Sequence, residues 1–205
     1  MKTPLVHLCS AIVLTGLFTA SLLVGKDKES TEKIDPKMAE MMKKAEALGA
    51  PGAAHKLLEP LVGKWTAEVQ CWMTPGGPPT PSKGTAKTEW AMNGRFIQEE
   101  FKGEMMGKPF TGMMLTGYDN HKKQYSTLWV DDMSTAMLKS EGTVDSDGKV
   151  ITFLTKMDCP MTGEKDMPIR QVIRIINADT HVFEMHETRE GKEERKTMEI
   201  TYTRK

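Results

Sequence analysis

From residue 65 onward the chain alternates between apolar and polar positions. Trp65, Ala67, Val69, Cys71 and Met73 share one parity against Thr66, Glu68 and Gln70, and near the end Met198, Ile200, Tyr202 and Arg204 oppose Thr197, Glu199, Thr201 and Thr203. A period of two marks a strand with one buried face. Turn residues punctuate the pattern and predict ten short strands at 65–73, 84–92, 95–104, 109–118, 123–131, 135–144, 149–157, 168–177, 180–189 and 194–204. No helical period interrupts them. The expected fold is therefore all-β, an antiparallel up-and-down meander, and a meander of this length hides its edges most simply by closing into a barrel.

The pattern before residue 65 differs. Asp35-Pro36 supplies an N-cap and a first-turn proline, Met38, Met41, Met42, Ala45 and Leu48 fall at helical spacing, and Gly49 sits where a helix ends. This predicts an amphipathic helix of three to four turns. A second, short helical piece around His55 to Leu61 leads to Gly63. Earlier still, Leu5 to Val24 is apolar or small behind a single lysine, the layout of a secretory signal peptide, and the chain turns polar at Lys26. The organisation read from these shifts is a signal peptide at 1–25, a polar spacer with the amphipathic helix at 26–50, and a barrel domain at 51–205. Cys9 lies within the leader and leaves with it. The same apolar run is long enough for an uncleaved anchor.

The connections alternate in character. Asn93-Gly94, Asn120-His121, Ser146-Asp147-Gly148 and Asn177-Ala178-Asp179 have hairpin chemistry, whereas Thr74 to Lys83 and Asp158 to Met167 are long. In a meander, alternate connections lie on opposite rims, so one rim is tight and the other open. The N-terminal helices enter on the tight side and are expected to cap that floor. Closure would also bring Trp65 beneath Arg204, where an indole and a guanidinium stack with ~0.5–2 kcal/mol. Gly63, Trp65 and Arg204 are accordingly read as structural.

These residues resemble a known pattern. Gly63-x-Trp65 with a late Arg204 is similar to the lipocalin or calycin opening and closing. The longer match resembles the bacterial DUF1579 family, a group with no assigned function. It comprises His55, Leu58, Leu61-x-Gly63-x-Trp65, Asn93-Gly94-Arg95-Phe96, Gly107-Lys108-Pro109-Phe110-x-Gly112, Gly117-Tyr118-Asp119, Trp129-Val130-Asp131 and Met198-Glu199-Ile200-x-Tyr202-x-Arg204. Asp132 departs from the pattern, standing where a serine is expected. The resemblance implies a calycin-like barrel and brings no catalytic residue.

Charge and composition remove several function classes. The chain carries 28 basic and 28 acidic residues, and loss of the leader with Lys2 leaves a formal charge of −1. Nothing supplies the counterion-release term on which nucleic-acid affinity rests. After leader cleavage no run could span a bilayer. No nucleophile elbow, paired-histidine zinc motif or phosphate-cradling glycine loop occurs, so no catalytic residue, metal or cofactor is assigned. Glu99-Glu100 and Asp131-Asp132 point to opposite faces of their strands, and the acids are read as a solvated outer face.

Cys71 and Cys159 remain after export, yet their strands are four ladder steps apart, an arc of ~19 Å at ~4.8 Å per step. Bridged Cα atoms lie within ~7 Å. Separate thiols are expected. The 17 methionines read as adaptable apolar filling, with a soft copper(I) site at the mouth as the alternative. His55, His121 and His181 are assigned to solvent or local hydrogen bonds. His186, mid-strand, is the one candidate axial haem ligand, by similarity to the nitrobindin branch of related barrels. Trp72 is read as an exposed aromatic opposite Trp65.

The functional expectation is a non-enzymatic, periplasmic or secreted protein holding a small apolar or amphipathic ligand in the open end of the barrel. Met73, Phe101 and Trp129 are the candidate lining residues. The alternatives are a filled barrel working as an interaction or assembly module, and a haem-binding or hydrolytic protein. Nothing in the pattern fixes an oligomeric state.

Overall fold

A computed structural model of the chain describes residues 35–159 and 162–205. The expected signal peptide at 1–25, Cys9 within it, and the polar stretch before Asp35 lie outside the described residues. Ten strands follow two short helices and a 3₁₀ turn: β1 Gly63–Cys71, β2 Thr80–Ala91, β3 Phe96–Met105, β4 Lys108–Asp119, β5 Gln124–Asp131, β6 Leu138–Val144, β7 Val150–Met157, β8 Met167–Asn177, β9 Thr180–Glu187 and β10 Arg195–Arg204. Each pairs antiparallel with its sequence neighbour, and β1 pairs with β10, so the sheet closes as a barrel. Closure is in register with the alternation of both terminal strands. Trp65 lies opposite Arg204, Ala67 opposite Tyr202 and Val69 opposite Ile200, and one residue of slip would turn these apolar sets to solvent.

The tight connections 92–95, 120–123, 145–149 and 178–179 share one rim. Side chains lock several of them. Asp119 accepts from the backbone N–H groups of His121 and Lys122, Asp145 from Lys149 and Val150, and Asn177 from Asp179, as turn-forming Asx residues do. The opposite rim carries the long connections 72–79, 132–137, 158–166 and 188–194, with one two-residue turn at 106–107. The first of these is shorter than the sequence suggests. Thr80 to Lys83 pair with Cys71 to Glu68, because Pro81 sits near the start of β2, where a missing N–H is tolerated.

The capping of the floor differs from the expected arrangement in which segments do it. Helix α2 (Ala53–Lys56) and the 3₁₀ turn Glu59–Leu61 deliver Leu58 and Leu61 into the lower core with Ile97, Tyr125, Ile151, Phe153 and Ile173. Helix α1 (Pro36–Gly49) buries no residue, and its methionine stripe is open to solvent, Met41 and Met42 each at 57%. Asp35 caps it as expected, accepting from Lys37 N at 2.7 Å. Asn120 holds its far end through the carbonyls of Leu48 and Ala50.

Candidate functional site

The floor is organised by one guanidinium. Arg204 lies 4.1 Å from the Trp65 ring centroid and donates to the carbonyls of Val62 (2.9 Å), Pro60 (3.2 Å) and Ala178 (2.9 Å). It thereby ties the last strand to the 3₁₀ turn and to the β8–β9 turn. Trp65, fully buried, donates from Nε1 to Leu61 O at 3.0 Å. Gly63 has φ +147°, and a Cβ there would stand 2.2 Å from Arg204 Nη1. Only glycine leaves the guanidinium its place.

Above Trp65 the stacking continues through polar groups. His181 meets the indole edge-on at 4.4 Å and lies nearly parallel to the Tyr202 ring, also at 4.4 Å. The Tyr202 hydroxyl donates to Glu99 Oε1 at 3.3 Å, and Thr88 donates to Oε2 at 3.4 Å. Thr116 bonds Thr127, and Ser140 bonds Gln171, at the same middle level. All these side chains are buried. A polar belt thus crosses the middle of the interior, beside an apolar cluster that runs from Trp65 up to Phe101 and Phe110.

Burial governs the chemistry of this belt. It pushes the Glu99 carboxyl up to about 7, against the opposing hydrogen bonds from Tyr202 and Thr88. It pushes His181 down to about 4, with the Arg204 charge adding to the effect. The Tyr202 phenol rises well above its ordinary value, from burial and then from Glu99. His181 is 4% exposed, and its Nδ1 has no hydrogen-bond partner. It faces a cavity of about 20 Å³ also bounded by Glu99, Thr116 and Tyr202, room for one water-sized group. A larger hollow, about 110 Å³, lies against β2 and β3 at Lys87, Glu89, Gln98 and Glu100, on the polar parity of those strands.

These placements correct the reading of the acids as an outer face. Glu99 and Glu187 both point inward and are buried. Glu187 accepts from Arg189 (2.8 Å) and Arg195 (2.9 Å); burial would raise its pKa, and those two hydrogen bonds outweigh burial and hold it below the usual value. His181 is likewise interior rather than solvated. The signal for both interior groups was parity: Ile97, Glu99 and Phe101 alternate on one face of β3, as His181, Phe183 and Met185 do on β9. His55 is buried, and its Nδ1 accepts a local bond from Gly52 N at 3.0 Å. His186 lies on the outward parity of β9, 3.3 Å from Glu184.

The three candidate lining residues separate. Phe101 is buried in the upper core, in contact with Phe110 at 6.0 Å. Trp129 packs against that core, stacks on Phe110 at 6.3 Å and donates to Asp131 at 2.8 Å. Its ring lies over Gly112, where a Cβ would come within 2.3 Å. Met73 lies beyond the end of β1 at Cys71, so strand parity does not reach it, and it is 51% exposed. Trp72 is half-buried rather than free, with Lys196 Nζ 5.1 Å above its ring. No disulfide joins Cys71 to Cys159.

The upper interior has a lining that the sequence reading did not single out. Met105 and Met198 pack against the cluster containing Phe101 and Phe110, and Met157, Met167 and Met185 pack together around Cys159 and Ile169. Asp131 and Asp132 form no dyad. Asp131 accepts from Trp129 and from the backbone of Met133 and Ser134, while Asp132 accepts from Thr111 N at 3.0 Å.

The architecture matches known folds. The crystal structure of Rv2717c from M. tuberculosis superimposes with a TM-score of 0.57 at 14% identity, covering 76% of this chain and 99% of that one. A redesigned β-barrel aligns at 12% identity and a TM-score of 0.37, over 74% of this chain and 95% of the design. No curated protein matches the sequence. The family model described as "Protein of unknown function (DUF1579)" matches residues 50–204, the whole barrel with its capping turn, and the chain belongs to that family.

Proposed function

We propose that this chain is an exported, non-enzymatic barrel that holds one small apolar or amphipathic molecule in its upper half. Export rests on the leader-like pattern at 1–25. Binding rests on one observation, the nature of the upper lining. Where the floor is closed by Trp65, Tyr125, Ile151 and Phe153, the upper interior holds five methionines at inward positions beside Phe101, Phe110 and Trp129. Unbranched thioethers change rotamer at low cost and re-form their contacts around a guest. Four of the five connections above them are six residues or longer, against the short hairpins that close the floor.

The same side chains favour a second reading. They fill the upper interior as it stands, which suits a barrel acting through its outer surface. Native mass spectrometry separates the two. Full-length protein recovered from its own cells is expected to carry a bound small molecule, and emptied protein to take up 1-octanol at one per chain. Protein that is always empty and takes up no 1-octanol supports the filled barrel instead.

A further inference from the structure

The polar belt contains more than a barrel needs for its own stability. A carboxyl and an imidazole taken from water cost several kcal/mol unless both are fully hydrogen-bonded, and apolar side chains of similar volume would fill the same layer without that cost. Yet Glu99 is held here by two long hydrogen bonds, of 3.3 and 3.4 Å. His181 Nδ1 has none at all. Both face the cavity of about 20 Å³. Buried polar groups left in this state mark a place where something else completes them.

The cavity lies between the two core clusters, bounded on one side by Leu61, Ile97 and Ile173 of the lower one. Its walls include Met114, which lies opposite Trp129 in the β4–β5 register, and Phe183, which packs against both the upper and lower core clusters. Each stands two residues mouthward of a polar wall residue, Met114 of Thr116 and Phe183 of His181. A slender molecule lying among Phe101, Trp129 and the methionines would therefore bring one end to the belt.

The geometry points to this cavity as the head-group subsite of the upper-barrel ligand, and to a primary ammonium as the head group it takes. The inference rests on the binding proposed above. Three of the cavity's wall residues carry acceptors. They are the Glu99 carboxylate, His181 Nδ1 in the tautomer protonated on Nε2, and the lone pairs of Thr116 Oγ1, whose own proton goes to Thr127. An ammonium has three donors and no acceptor. Its size suits a space that admits one water-sized group. A carboxylate or phosphate head would face Glu99 in a cavity whose wall carries no lysine or arginine.

The test is calorimetric titration of the full chain at neutral pH with octylamine, 1-octanol and octanoic acid, three probes with one tail length and different heads. Octylamine is expected to bind at least about tenfold more tightly than octanoic acid, the range of one charge-assisted hydrogen bond. In Glu99→Gln that preference should vanish, with octylamine losing at least about tenfold more affinity than 1-octanol does. Should Glu99→Gln lose 1-octanol as well, Thr116→Val serves the same comparison, and octylamine alone should weaken. Octanoic acid binding as tightly as octylamine, or a preference that survives both substitutions, overturns the head-group assignment while leaving the upper-barrel reading in place. Failure of all three probes to bind overturns that reading itself.

Discussion

The two ends of this barrel are built from different materials. At the floor, aromatic and β-branched side chains pack against Leu58 and Leu61, and one guanidinium ties three segments together through Trp65 and three carbonyls. At the mouth, five methionines share the interior with Phe101, Phe110 and Trp129, four of the five connections are long, and Glu187 is held between Arg189 and Arg195. The contrast is one of stiffness. Branched and ring side chains have few rotamers to exchange, whereas methionine has three free torsions. A barrel made this way keeps its shape from below and can change its contents from above.

The floor should be where substitution costs most. Trp65→Ala removes a fully buried indole together with its contacts to His181 and Arg204, and denaturant unfolding should show a loss of about 3–5 kcal/mol. Gly63→Ala should cost about 2 kcal/mol or more, because the new methyl meets Arg204 Nη1 and the backbone sits at positive φ. If either variant unfolds like the parent, Arg204 does not organise the floor. By contrast, Met185→Leu at the mouth should cost less than about 1.5 kcal/mol in the same experiment. A mouth substitution as damaging as Trp65→Ala would erase the distinction.

The belt between the two ends predicts a pH signature of definite sign. Glu99 has a folded pKa near 7, above its ordinary value of 4.5, so the native state holds this proton more firmly than the unfolded chain does. Its contribution is present below pH 4.5 and is lost as pH rises to about 7. Glu99→Gln removes that loss. The variant's stability relative to the parent should therefore climb across pH 4.5–7 and level off above, by no more than about 3 kcal/mol. His181, with its folded pKa near 4, works in the other direction, lowering stability as pH falls from 6.5 toward 4 in parent and variant alike. Parallel pH profiles for the two proteins would place Glu99 in contact with water. The smallest effect belongs to α1. Since it buries nothing, replacing its exposed Met38, Met41 and Met42 by serine should change stability by less than about 0.5 kcal/mol.

Much of the fold was legible because period two is hard to mistake. All ten strands appear within a few residues of the expected bounds, and the Trp65–Arg204 neighbourhood followed from closure plus parity. The misses share a cause. Position outranks residue type: the acids are expected on an outer face and His181 in solvent or a local hydrogen bond, yet Glu99 and His181 share the inward parity of Phe101 and Phe183, each two residues away. The parity of β1 stops at Cys71, two residues short of Met73. Helix α1 shows the reverse error, since an apolar stripe at helical spacing states what a helix could bury and not whether a partner is present. The methionine lining was invisible for a different reason. Met105, Met157, Met167, Met185 and Met198 come from five strands, and only the closed ring brings them to one space.

The claim that the upper interior opens to a guest while the floor stays fixed can be read directly from methionine methyl resonances. With ¹³C-methyl-methionine protein titrated with 1-octanol, the methyls of Met105, Met157, Met167, Met185 and Met198 should shift together and saturate at one equivalent, while those of Met38, Met41 and Met42 on α1 stay in place. Shifts confined to the exposed methionines of α1, or no saturable shift at any of the five, would contradict the account.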